Sequence, residues 1–149
     1  MGKLAERLSD CTRSGVYRIE TVEALEEAAA LNSYRLVRVV LEHVTTKAAL
    51  LDAVADSAAF PDRFGRNWNA LPDCLTDLSW TPARGYVLLV SGFKLLQRAA
   101  PEDFAGFLEV LTAAAADWRG RGRPFFVAFL DPGGAAPLAP LYNWHKRGK

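Results

Sequence analysis

Residues 86–130 read YVLLVSGFKLLQRAAPEDFAGFLEVLTAAAADWRGRGRPFFVAFL, and this stretch decides the fold. Tyr86-Val87-Leu88-Leu89-Val90 is a continuous apolar run, and so is Phe125-Phe126-Val127-Ala128-Phe129-Leu130. Both have the length and composition of buried strands. Between them Pro101 stands where a first helical residue belongs, followed by Glu102 and Asp103 at the positive end of the helix dipole. Phe104, Phe107, Leu108, Leu111, Ala115 and Trp118 then recur at offsets of 3, 4, 7, 11 and 14, one helical stripe. Gly120 and Gly122 stop that helix. Fully apolar strands joined through a helix predict a parallel sheet.

The pattern extends toward the N-terminus. Leu36-Val37-Arg38-Val39-Val40-Leu41 is a β-branched run and predicts a third strand. Thr45 or Thr46 caps a helix whose apolar positions are Leu50, Leu51, Val54 and Ala58. Phe60-Pro61 ends it, Gly65 permits a turn, and a further helix starts near Asn67. Upstream, Val16-Tyr17-Arg18-Ile19 is a short strand candidate. Thr21 is the N-cap of a helix with Glu23 in its first turn and Asn32 at its stop. Residues 1–14 are polar and expected to be loosely held. Right-handed crossovers taken in one direction place the three main helices on one face. The strands do not alternate, so the other face also needs cover. The candidates are the helix at 21–31 and the tail residues Leu138, Leu141, Tyr142 and Trp144.

The chain has 149 residues, half of them apolar, and a formal charge of +1 from 18 Lys and Arg against 17 Asp and Glu. That is a globular composition with room for one full core. The charge is segregated: residues 1–118 carry 12 bases and 16 acids, whereas residues 119–149 carry six bases and only Asp131. Cys11 and Cys74 form no Cys-x-x-Cys pair, which removes a thioredoxin-like site and a zinc ribbon. The charged start MGKLAERLSDC is no secretory signal, and Glu6 breaks the myristoylation pattern. No apolar run approaches the ~20 residues of a membrane helix. A soluble cytoplasmic protein with reduced thiols is expected.

Residues 60–80, FPDRFGRNWNALPDCLTDLSW, carry the functional information. With Asn67 as an N-cap, Trp68, Leu71, Leu75 and Leu78 fall on one helical face. Asn69, Asp73 and Asp77 fall at i, i+4 and i+8 on another. Asp73 and Asp77 are like charges one turn apart, a mildly unfavourable arrangement. Asp77 also sits near the negative end of the helix. Pro72 removes the amide that would bond Trp68 and pushes Leu71 away from helical geometry. Residues 67–71 are therefore expected as a separate turn, with the helix beginning at Pro72.

The order of elements and the string FGRNWNALPDCLTDL resemble the barstar family, intracellular inhibitors of barnase-type secreted ribonucleases. The pattern Gly-x-Asn-x-(Asp or Asn)-Ala-Leu-x-Asp-Cys-Leu is matched from Gly65 to Leu75, and the resemblance covers about residues 35–131. It implies a small two-layer α/β domain over residues 1–149. The expected core is a parallel three-stranded sheet with helices mainly on one face, preceded by an N-terminal strand–helix extension over 1–34 and followed by a tail over 132–149.

The resemblance also implies that the loop and helix of residues 62–80 enter a ribonuclease active site, with a helix acid standing in for phosphate. Asp73 matches the family's central inhibitory acid. Asn69 falls where the founding member has a second acid, and Arg63 where it has an aromatic covering the enzyme's catalytic histidine. Pro72 replaces an aromatic contact residue. Trp80 lies near a further contact tryptophan, and Asp117 roughly where the family has an acid late in its third helix. One of two phosphate-mimicking acids is thus kept, and Arg63 and Arg66 are added. The expected partner is a secreted or toxin ribonuclease, bound by a monomer without catalytic residues, metal or cofactor, and neither membrane nor direct nucleic-acid binding is expected. Asp73 is the anchor, Asn69 and Asp77 are secondary acceptors, and Arg63 and Trp80 are rim contacts.

Two other readings compete. One is a regulatory module that binds nucleic acid or protein on the same scaffold and no longer inhibits a nuclease, and Arg119, Arg121, Arg123 and the basic tail from His145 to Lys149 suit its nucleic-acid form. Cys74 with His43 is a conceivable nucleophilic pair, although Cys74 suits a small core residue better. His43 has no metal-ligand spacing around it.

Overall fold

In the computed structural model the described residues are 2–142, without the side chain of Arg63. The helices and strands run α1 (Lys3–Leu8), β1 (Gly15–Ile19), α2 (Val22–Leu31), β2 (Arg35–Val40), α3 (Lys47–Ser57), α4 (Leu71–Asp77), β3 (Tyr86–Ser91), α5 (Lys94–Ala99), α6 (Pro101–Gly120) and β4 (Phe125–Leu130). The strands form one parallel sheet in the order β1-β4-β3-β2.

The expected parallel α/β sheet is present, but it has four strands rather than three. The strand at Gly15–Ile19 is no appendage: it pairs along its whole length with β4, from Gly15 against Phe126 to Ile19 against Leu130. The sheet is also covered on both faces, so the molecule has three layers rather than two. The cause lies in the crossovers. From β2 to β3 to β4 the chain steps across the sheet in one direction, and right-handed connections lay α3, α4 and α6 on one face. From β1 to β2 it steps the other way, so α2 lands on the opposite face.

Alternate residues of each strand serve the two faces. Val37, Val39, Leu88, Val90, Phe125, Val127 and Phe129 pack under α3, α4 and α6. Val87, Leu89, Phe126, Ala128 and Ile19 pack under α1 and α2. Residues 1–14, expected to be loose, supply α1, whose Leu4, Ala5 and Leu8 are buried against α2. Leu141 is fully buried on this face and Tyr142 packs beside it, as the need for cover requires. Leu138 instead joins the α3–α4–α6 side. Trp144 lies outside the described residues. The segment before Leu141 also shields the outer edge of β1. The Arg18 amide donates to the Ala139 carbonyl, and the Leu141 amide to the Arg18 carbonyl, both at 2.9 Å.

Candidate functional site

Residues 58–80 link α3 to the loop before β3 and present the candidate surface. Ala59 closes α3 in the left-handed region, and Gly65 and Arg66 follow with φ of 60° and 53°. These consecutive left-handed residues reverse the chain, and the first is the residue type that adopts the conformation at no steric cost. Asn67 is extended, and its side-chain oxygen accepts the Asn69 amide at 2.9 Å. The expected cap therefore forms, and the separate turn expected before the helix is a 3-10 turn over Trp68–Ala70. The helix begins at Leu71 with Pro72 in its first turn, where a missing amide costs nothing. The Asn69–Asp73–Asp77 stripe is consequently broken: Asn69 belongs to the tighter turn, and only Asp73 and Asp77 share α4.

Leu71, Leu75 and Leu78 are buried, and Trp68 is half-buried beside Gly106 of α6. The Lys47 ammonium stands 4.8 Å over the Trp68 ring. α4 has seven residues, too few to hold a helix without tertiary support. That support comes from α6 and the residue that caps its C-terminus. The Trp118 indole N–H donates to the Leu75 carbonyl at 2.9 Å, and the Arg121 guanidinium donates to the Thr76 carbonyl at 2.6 Å. Beyond α4, the Tyr86 hydroxyl donates to the Thr81 carbonyl at 2.9 Å.

The sequence-derived residues separate into distinct roles. Asp73 is exposed on the first turn of α4, and among the described residues its carboxylate has no ion-pair partner. Asn69, Pro72 and Asp77 are also exposed. Arg63 lies in a 3-10 turn over Asp62–Phe64, and its side chain is outside the described set. Trp80, expected as a rim contact, is half-buried. Its indole donates to the Ala58 carbonyl at 3.0 Å, and its ring meets Phe60 edge-on at 5.7 Å. Phe60 in turn packs edge-on against buried Phe64 at 4.8 Å. Trp80 therefore ties the two ends of the loop together. Asp117 is paired with Arg121 at 2.6 Å, so the guanidinium that grips Thr76 also holds Asp117 beside the end of α4.

Arg66 shows what the sequence did not. Its guanidinium sits 3.2 Å from Asp56 and 3.5 Å from Asp52, both on α3. One of the two cations added to the acidic segment is thus drawn toward α3. The i, i+4 spacing of Asp52 and Asp56 was the available signal, but only the left-handed bend at Gly65-Arg66 points the arginine at them.

The competing chemistries fare differently. Cys74 is buried in the core with 5% of its surface exposed, which places its thiol out of reach of substrate, and His43 is exposed in the turn after β2. Among the described residues no three His, Cys, Asp or Glu converge as a metal set would, and no helix is long and apolar enough to cross a membrane. Arg119, Arg121 and Arg123 each donate at 2.6 Å to a backbone carbonyl, those of Ser14, Thr76 and Ala83 respectively. His145 and the residues after it lie outside the described set.

No curated protein matches the sequence. The family model described as Barstar (barnase inhibitor) matches residues 34–130, from just before β2 to the end of β4, and the chain belongs to that family.

Proposed function

We propose that this protein inhibits a ribonuclease or a related toxin by occluding its active site with residues 62–80. Asp73 is the electrostatic anchor, with Asn69 and Asp77 as secondary acceptors and Arg63, Pro72 and Arg66 around them. The observation that carries this reading is the state of Asp73. Among the described residues it is an exposed carboxylate without an ion-pair partner, on a short helix whose backbone is held at Leu75 by Trp118 of α6 and at Thr76 by Arg121 just after it. A nuclease cleft that binds phosphate holds cations, and a carboxylate on a held backbone meets them without first losing backbone freedom. Asp117, neutralised by Arg121, contributes to the shape of the surface more than to its charge. In this reading the protein works in the cytoplasm as a monomer, needs no cofactor and performs no catalysis.

The test is titration of the purified chain against barnase-type ribonucleases, and against nucleases captured on it from the source cells, with RNA cleavage as the readout. Asp73→Ala is expected to weaken inhibition by at least about 2 kcal/mol, roughly 30-fold, with its thermal midpoint unchanged. Equal inhibition by the variant removes Asp73 as anchor. Wild-type chain that inhibits and captures no ribonuclease removes the reading.

A further inference from the structure

The sheet is parallel, so all four strands begin at one end of the molecule, and that end is lined with arginine. Arg35 is the first residue of β2, Arg84 lies two residues before β3, and Arg123 two residues before β4. Arg119 reaches to Ser14, the residue before β1. Arg119 and Arg123 are fixed by carbonyl oxygens, which hold a guanidinium in place but leave its charge uncompensated. Arg35 and Arg84 line one open cleft of about 480 Å³ with Tyr34 and Pro82. Among the described residues neither of their guanidiniums has a hydrogen-bond or ion-pair partner. Arg13 and Arg121 are neighbours whose charges are met by Asp10 and Asp117. Four uncompensated cations thus lie across three strand spacings, about 14 Å. The chain's overall neutrality hides them, because two of the four belong by sequence to its acidic part.

We propose that this end of the sheet binds the phosphate backbone of a single-stranded nucleic acid, with Arg35 and Arg84 as the primary phosphate contacts and Arg119 and Arg123 extending the row. The row consists of arginine without lysine, and guanidinium forks match phosphate oxygens two at a time. An acidic protein partner is less well served. A stable protein interface needs a large apolar anchor, and the apolar groups that line this cleft, Tyr34, Leu36, Pro82 and Ala83, include no exposed large hydrophobic side chain such as Leu31 or Val40. The proposal is independent of the Asp73 reading, since it uses none of the inhibitory segment.

The test is fluorescence anisotropy with a labelled 12-nucleotide oligouridylate and the full chain. Four contacts give a log–log dependence of affinity on salt with a slope of about −2.8, at 0.7 per phosphate on a single strand. Arg35→Ala with Arg84→Ala is expected to lower affinity at least tenfold in low salt and to reduce that slope by about 1.4. Its thermal midpoint is expected to stay unchanged, because neither side chain holds the fold. A variant with Lys146, Arg147 and Lys149 replaced by serine is expected to keep most of the affinity. Three results overturn the proposal: no binding at low salt, a double variant that binds like wild type, or polyglutamate of equal charge competing as well as the oligonucleotide. The last marks the end as a surface for acidic protein.

Discussion

The indole N–H of Trp118 donates to the backbone carbonyl of Leu75 across the buried contact between α6 and α4. The same ring is stacked on Phe125 at 6.1 Å with an interplanar angle of 2°, and the Arg121 guanidinium covers it at 3.9 Å. One side chain therefore joins β4, α6 and the seven-residue helix that carries Asp73. Trp118→Phe keeps most of the apolar contact and removes the donor, leaving a buried carbonyl unsatisfied. It is expected to cost about 2 kcal/mol in urea unfolding. The amides of α4 are expected to exchange faster than those of the sheet. A loss below about 0.5 kcal/mol, with α4 exchange unchanged, means that packing alone holds the helix.

Three helices end with the same pair of hydrogen bonds but with different residues at the left-handed position. After α6, the Arg123 amide reaches the Trp118 carbonyl and the Gly122 amide the Arg119 carbonyl, both at 3.0 Å. After α2 the pair runs from Tyr34 to Ala29 and from Ser33 to Ala30, and after α3 from Phe60 to Ala55 and from Ala59 to Asp56. This is the Schellman arrangement, which favours glycine at its turning residue. Gly122 meets that preference, with φ of 72°, whereas Ser33 and Ala59 adopt 59° and 54° with a Cβ in place. Ser33→Gly and Ala59→Gly are each expected to stabilise the protein by up to about 1 kcal/mol, and Gly122→Ala to destabilise it by a similar amount. Thermal unfolding of the three variants checks the set. Destabilisation by both glycine substitutions contradicts the account of backbone strain.

The same features show why parts of the fold were legible in the sequence and parts were not. β3 and β4 announce themselves as unbroken apolar runs because both their faces are buried, and α6 because its buried face leaves a helical period in the sequence. β1 is legible as a short strand, but its place in the sheet is not. Val16, Tyr17 and Arg18 are half-buried at the edge of the sheet, and pairing with β4 joins residues more than 100 positions apart. α1 offers only Leu4, Ala5 and Leu8, too short a pattern to separate from a polar terminus. In the candidate site, Pro72 correctly places the start of α4, because its chemistry is local. The partners of Arg66, Arg121 and Trp80 are carbonyls or acids on other elements, and such pairings arise only once the chain has turned. Whole-chain charge misleads for the same reason, since Arg35 and Arg84 join Arg119 and Arg123 only in the folded sheet.

Leu141 lies beyond the family match, yet it is fully buried with α1, α2 and β4. Its amide bonds Arg18 as well, so the segment covers both a face and an edge of the sheet. Leu141→Ala is expected to cost about 3 kcal/mol and to lower the thermal midpoint by roughly 6–12 °C for a chain of this size. Deletion of residues 132–149 is expected to cost more. A change below about 0.5 kcal/mol in either variant assigns the segment no structural part.

Tyr34 gives a pH dependence with a definite sign. Its hydroxyl donates to the Leu8 carbonyl at 2.9 Å and ties β2 to the end of α1. Burial raises its phenol above the usual value near 10, while the Arg84 guanidinium pulls it back. A folded-state pKa above the unfolded one means that the folded protein holds this proton more tightly. The resulting stability is complete below about pH 10 and is lost as pH rises through the folded value. Tyr34→Phe removes both the hydrogen bond and this titration. At pH 7 the variant is expected to be less stable by about 1 kcal/mol. In strongly alkaline solution the gap between the two proteins is expected to narrow, since only wild type has a phenol to ionise at that position. Urea unfolding at pH 7 and pH 10.5 decides the point, and a gap that stays constant between them removes the proton linkage from Tyr34.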